Sequence, residues 1–221
     1  MQLNFPLNTW GGERKGAGRP PKGYRSSEQH VTRERFDRLT AFHVTLRTVE
    51  DLSNLRRART YHAVREALGA VRTRPDFGIV QLSIQTNHIH SIVEADNDSA
   101  LAKGMQAFQV SSARRINRAL QRTGQVFGDR YHPVEISSPT QARYELNYVL
   151  NNWRRHRRDE GMDWSVDYYS SGPVFDGWRE TFTLPAQYRP LPVRRARTWL
   201  LNVGWRKAGE LSCRAVPGGG G

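Results

Sequence analysis

Two histidines, His88 and His90, stand two residues apart in the apolar, β-branched run TNHIHSIVEA. In a strand, residues i and i+2 point to the same face, so both imidazoles project side by side. On a helix they would diverge by about 200°. Paired imidazoles form half of a site for a divalent cation and need a third ligand from elsewhere. The same H-x-H pair also suits a polar sheet face that binds nothing. Further along, Tyr148 is followed at i+4 by Asn152, which puts both on one flank of a helix. A tyrosine hydroxyl with its ordinary pKa of about 10 is a poor nucleophile. A cation polarising a phosphate, with positive charge around it, makes its attack feasible. Asn152 offers a neutral oxygen ligand. Tyr144, one turn earlier, is the rival nucleophile, and Tyr148 equally suits a half-buried packing role.

These side chains need elements to hold them. AFHVTLRTV, starting at Ala41, alternates and is rich in β-branched residues, so a strand is expected. Ser53 suits the N-cap of a helix over about 54–68, closed by Gly69, with Leu55, Ala58, Tyr61 and Leu68 on its apolar side. FGIVQLSIQ and HIHSIVEA follow as two strands joined by a short turn at Thr86 and Asn87. A long helix is expected from Asp98 or Ser99 to about residue 120, with Leu101, Met105, Phe108, Ser112 and Ile116 inward. GQVFGDRYHPVEIS carries a fourth, irregular strand. Ser138 then caps a helix, Pro139 suits its first position and Gln141 completes a capping box. Ala142, Leu146, Val149 and Trp153 form the buried stripe of that helix. The order β-α-β-β-α-β-α predicts an α+β fold: a ferredoxin-like, RRM-like antiparallel sheet with helices packed on one face. The chain is expected to divide into a basic Gly- and Pro-rich tail over 1–38, a folded domain over 39–158 and a basic, aromatic C-terminal extension over 159–221. The tail lacks the apolar surface to order itself. The extension is expected to hold a short helix pair in PVRRARTWLLNVGWRKAGEL.

The charge points to the partner. The chain has 221 residues and a formal net charge of +13, and only four of its 34 Lys+Arg are lysine. Such an excess of arginine fits a polyanion, most simply nucleic acid, because the guanidinium grips phosphate with two donors and stacks on bases. KGAGRPPKG in the tail resembles an AT-hook, whose Gly-Arg-Pro core lies in a narrow minor groove; a plain basic tail is the alternative. No apolar run reaches the ~20 residues of a membrane helix, and the first residues lack the apolar core of a secretory signal. A single cysteine, Cys213, excludes an intramolecular disulfide and a cysteine-based zinc cluster. A cytoplasmic, nucleoid-associated protein of bacterial type with no membrane partner is expected.

TNHIHSIVEA, GQVFGDRYHPVEI and NYVLNNWRRH, in that order, resemble the REP-associated tyrosine transposases. These are stand-alone relatives of the single-tyrosine insertion-sequence transposases within the HUH endonucleases. The family's histidine pair around a hydrophobic residue matches His88, Ile89 and His90, and its Tyr-x-x-x-Asn/Gln setting matches Tyr148 and Asn152. The likeness covers roughly 41–158, and RKGAGRPPKG and TWLLNVGWRKAG resemble extensions seen in such proteins. Many relatives carry Asn-Pro after the tyrosine, whereas Asn151, Asn152 and Trp153 stand here, which leaves Asn151 as an alternative third ligand.

The resemblance implies a metal-dependent enzyme that cuts and rejoins single-stranded DNA beside REP-like hairpins. It implies that His88, His90 and Asn152 hold Mg²⁺ or Mn²⁺, and that Tyr148 attacks to give a 5′-phosphotyrosine and a free 3′-hydroxyl. A second 3′-hydroxyl reverses the step without ATP. It implies a monomer in preference to a homodimer. Arg114, Arg115, Arg118, Arg122, Arg154, Arg155, Arg157 and Arg158 would then lie along DNA phosphates, joined by Arg14, Lys15, Arg19 and Lys22 of the tail. Such contacts position a strand and make its binding salt-dependent. Arg130, Tyr131 and Trp153 are candidates to stack on unpaired bases, the last two also for the core. His132 and Glu94 are candidate helpers or structural residues.

Two other functions compete. FHVTL contains His43-Val-Thr45, which resembles half of a two-histidine phosphoesterase, but the second site has His90 where a hydroxyl belongs. The chain also suits a non-catalytic, domesticated protein that grips hairpin DNA or RNA.

Overall fold

Alternation along the strands divides the sheet into two chemically different faces. The computed structural model of the chain describes residues 35–52 and 54–218. Four strands, β1 (Thr40–Arg47), β2 (Phe77–Ile84), β3 (His88–Ala95) and β4 (His132–Ile136), form one sheet in the order β2-β3-β1-β4. Every neighbouring pair is antiparallel, and the order is that of the split βαβ ferredoxin-like motif. Phe42, Val44 and Leu46 of β1 join Ile89, Val93 and Ala95 of β3 in one core cluster. The residues between them, His43 and Thr45 of β1 and His88, His90 and Ile92 of β3, take the other face. In β2 the core cluster takes Phe77 and Ile79, then Leu82 and Ile84. A register shift between Ile79 and Gln81 makes that change of parity, as a bulge does.

Helices α1 (Ala58–Arg72) and α2 (Asp98–Ala119) cover the first face, as the sequence leads one to expect. Asn97 caps α2 by accepting the Ala100 N–H at 2.9 Å. Gly104 lets α2 lie against Phe77, because a Cβ there would come within 2.2 Å of the ring. Helix α1 begins at Ala58 and runs through Gly69 to Arg72, displaced from the expected 54–68. Asn54 Oδ1 accepts the Arg56 N–H, and Leu55 N–H donates to the Thr86 carbonyl, so the chain before Ala58 is held in a turn. Ser53 lies outside the described residues.

Helix α3 (Pro139–Arg155) takes the opposite face, so the helices of this α+β fold cover both sides of the sheet and not the one side expected, because α3 brings its own apolar stripe to the second face. Its stripe of Ala142, Leu146 and Val149 meets Ala41, Val80, Ile92 and Ile136. Ser138 Oγ accepts the Gln141 N–H at 3.2 Å, and Gln141 Oε1 reaches back to the Ser137 N–H at 3.0 Å. The N-cap and Pro139 thus start the helix where local chemistry dictates.

The C-terminal segment is built into the domain. Ile84 N–H donates to Tyr169, Ser171 N–H to Leu82 and Arg194 N–H to Ile79, all at 2.8 Å, which satisfies much of the open edge of β2. Buried Arg56 grips buried Asp167 with two bonds of 2.8 Å. Glu94 accepts from the Arg197 and Thr198 N–H groups and from the Thr198 hydroxyl, a structural role. The expected helix pair is a short α4 (Trp199–Asn202) followed by a 3₁₀ turn (Gly204–Ala208), and Leu201 and Trp205 pack beneath α3. Among the described residues, no helix is long and apolar enough to cross a membrane.

Candidate functional site

Strand pairing brings the histidines together. In the β1–β3 register Thr45 lies opposite His90 and Arg47 opposite His88, so β1 sends His43 and Thr45 to the face that carries the H-x-H pair. His90 is 5 % exposed. Its Nδ1 lies 3.0 Å from His43 Nε2 and 3.2 Å from Thr45 Oγ1, and its Nε2 lies 2.9 Å from His88 Nε2. His88 Nδ1 meets Asn87 Oδ1 at 2.8 Å, and His43 Nδ1 meets Glu145 Oε2 at 2.8 Å. One chain of contacts therefore runs from Asn87 through three imidazoles to a carboxylate on α3.

Burial sets the protonation of the pair. It lowers the His88 pKa to about 4, with His156, Arg47 and His43 adding repulsion. It lowers the His90 pKa to about 2, with His88 and His43 adding to the effect. Both rings are neutral at neutral pH and carry one lone pair each. Asn87 Oδ1 only accepts, so His88 holds its proton on Nδ1 and turns the Nε2 lone pair to His90. Two lone pairs cannot face each other at 2.9 Å; a proton or a cation must lie between them.

Helix α3 lays a row of side chains over this chain. The Tyr148 ring stands edge-on to His90 at 5.1 Å and to His43 at 5.6 Å. The His156 ring lies 6.2 Å from His88. Tyr148, Asn152 and His156 follow at i, i+4 and i+8, so Asn152 shares the flank between the two ring contacts. Asn152 is fully buried, and among the described residues neither its Oδ1 nor its Nδ2 has a hydrogen-bond partner. An orphaned amide there has the chemistry of an open ligand. Asn151 turns elsewhere: its Nδ2 donates to Asn147 Oδ1 and to the Ser212 carbonyl. Burial raises the Tyr148 pKa above its ordinary value, and the nearby Arg155 offsets this only in part. Tyr144 is 50 % exposed and contacts the Tyr148 ring at 6.3 Å.

The set fits a divalent cation. Two ligands at about 2.1 Å and a right angle, as in an octahedral ion, stand about 3.0 Å apart, and the two Nε2 atoms are 2.9 Å apart. Among the described residues, no group of three or more His, Cys, Asp or Glu side chains is gathered for a metal; the candidate set is two imidazoles and one amide.

The cations divide into two kinds. Arg155, Arg157 and Arg158 are exposed where α3 ends, and Arg158 donates to Thr86 Oγ1 beside the β2–β3 turn at 3.2 Å. Arg157 also pairs with exposed Glu160 at 3.3 Å. The end of α2 reaches the same end of the sheet, since Val49 N–H donates to Val126 and Gly128 N–H to Arg47. Arg114 and Arg118 are exposed there, Arg115 pairs with Glu66 at 3.3 Å, and Arg122 bonds Asn117 and the Gln125 carbonyl. Arg130 is exposed on the segment leading to β4. Arg154, expected along the DNA phosphates, is held within the protein. Its guanidinium donates to Asp159, the Cys213 carbonyl and the Ser165 carbonyl and lies over Trp153, with the side chain 12 % exposed. Tyr131 and Trp153 are buried, so neither offers a free face to a base. Arg14, Lys15, Arg19 and Lys22 lie outside the described residues.

Sequence reasoning passed over Glu145 and gave His43 to another motif. The signal for His43 was available: alternation in AFHVTLR places it with Thr45 on one strand face. Glu145 carried no such signal, because its partner lies on a strand about a hundred residues earlier.

Residues 39–152, just over half of the chain, match the sequence model of a family described as IS200-like transposases. No curated protein matches. Among solved structures, one of a REP-associated tyrosine transposase bound to a REP hairpin aligns with 58 % of this chain and 74 % of its own, at 17 % identity and a TM-score of 0.48. A putative transposase from Deinococcus radiodurans R1 aligns with 62 % of this chain and 98 % of its own, at 13 % identity and a TM-score of 0.32.

Proposed function

The chain belongs to the IS200-like transposases, and from that premise we propose that it cuts and rejoins single-stranded DNA beside hairpins, with Tyr148 as nucleophile. The observation that carries this reading is the Tyr148 ring edge-on to His90, whose Nε2 meets His88 Nε2 at 2.9 Å. His88 Nε2, His90 Nε2 and Asn152 would hold Mg²⁺ or Mn²⁺. When bound, such an ion supplies Lewis-acid polarisation of the scissile phosphate. Tyr148 approaches from α3 with its hydroxyl protonated in the resting state, because burial raises its pKa. Its oxygen forms a bond to phosphorus, the bond from phosphorus to the 3′-oxygen breaks, and the proton passes to solvent or to the departing oxygen. The products are a 5′-phosphotyrosine and a free 3′-hydroxyl, and a second 3′-hydroxyl reverses the step. Arg155, Arg157 and Arg158 on one side and Arg114 and Arg118 on the other would hold the strand by its phosphates.

The test is a covalent adduct. Incubating the protein with single-stranded hairpin DNA and Mn²⁺ should give a band of retarded protein on a denaturing gel. Tight hairpin binding with no adduct on the element's own hairpin would leave a non-catalytic binding protein as the function.

A further inference from the structure

His90 faces a choice between two tautomers, and only one of them lets it act as a ligand. With its proton on Nε2 it donates to His88 Nε2 at 2.9 Å, and the gap between the two rings is closed by a hydrogen bond. With its proton on Nδ1 it turns a lone pair into that gap. The second state needs an acceptor at Nδ1. His43 Nε2 lies there at 3.0 Å, and it accepts when the His43 proton is on Nδ1. Glu145 Oε2, an acceptor, meets that Nδ1 at 2.8 Å.

We infer that Glu145 and His43 are positioning residues that hold His90 in its Nδ1–H tautomer and so keep its Nε2 open to a cation. This inference rests on the metal-site reading above. The relay does a second thing by its place in the fold. Glu145 is on α3, three residues before Tyr148, while His43 is on β1 and His90 on β3. One pair of contacts therefore orients a ligand and ties the nucleophile's helix to the sheet. His43 and Glu145 are each 9 % exposed, so water competes poorly for either bond. Thr45 Oγ1, at 3.2 Å from the same His90 nitrogen, is a weaker alternative acceptor. Partners of this kind behind a ligating histidine typically change metal affinity by about 10–100-fold.

The experiment measures Mn²⁺ binding to the full chain without DNA, by titration calorimetry. The proteins are the wild type, His88→Ala, His43→Ala, His43→Ala with Thr45→Val, and the shape-preserving Glu145→Gln. Circular dichroism confirms folding. The expected result is loss of binding in His88→Ala and a weakening of about 10–100-fold in the His43 variants, greatest in the double variant. Glu145→Gln should lose severalfold, because its amide offers His43 either a donor or an acceptor. Imidazole ¹H–¹⁵N spectra of the Mg²⁺-loaded wild type should show His90 protonated on Nδ1 alone, and the double variant a mixture. Wild-type affinity and a single His90 tautomer in the folded double variant would overturn the inference while leaving the metal site standing. A wild type that binds no Mn²⁺ would overturn both.

Discussion

Glu145 Oε2 and His43 Nδ1 meet at 2.8 Å across the space between helix α3 and strand β1, nearly shut off from solvent. This contact fixes how the tyrosine's helix lies over the paired histidines. The carboxylate thus faces an imidazole, which suits the proposed phosphate-binding site.

Tyr148→Phe should bind hairpin DNA within about twofold of wild type yet form no covalent adduct. Tyr144→Phe should still form it. A gel showing the opposite pattern would transfer the nucleophile's role to the more exposed tyrosine.

If Asn152 is the proposed third ligand, its substitution should change stability and cation binding together. Leaving a buried donor or acceptor without a partner costs about 1–3 kcal/mol, and both amide atoms of Asn152 are in that state. Asn152→Leu should therefore stabilise the metal-free protein by about 1–3 kcal/mol in urea unfolding. Mn²⁺ should raise the melting temperature of the wild type but not of this variant, and adduct formation should drop with it. Chelation of divalent ions should stop the wild-type reaction, and added Mn²⁺ should restore it.

Arg56 and Asp167 form a pair whose side chains are 7 % and 0 % exposed. Removing one member strands a buried charge. Arg56→Ala should cost about 3–5 kcal/mol in denaturant unfolding. The segment after Val166 should become more accessible to protease, because Asp167 anchors its start.

Exposed arginines should act through salt. Each phosphate contact on a single strand contributes a slope of about 0.7 in log affinity against log salt. Replacing Arg155, Arg157 and Arg158 together by alanine should flatten that slope by about 2 units, with little change in melting temperature. Arg154→Ala should do the reverse, lowering the melting temperature while leaving the salt slope nearly unchanged, because its donors are held within the protein.

Much of the architecture was legible in local patterns. The strand at His88–Ala95, the start of α3 at Ser138 and Pro139 and the long helix from Asp98 follow from alternation, caps and apolar spacing within a few residues. The strand period alone put His88 and His90 on one face, and the i+4 spacing put Asn152 with Tyr148. Tertiary structure decided the rest. The antiparallel β1–β3 register set His43 and Thr45 beside His90, and α3 took the sheet face opposite α1 and α2. That choice carried Glu145 to His43 and Tyr148 to His90. It also separated Arg154, drawn inward by Asp159 and two carbonyls, from Arg155, which stayed exposed. The physical reason is range. Periodicity and capping act between neighbours in sequence, whereas an imidazole's proton and a guanidinium's partners are set by groups that only the sheet order and helix packing bring within about 3 Å.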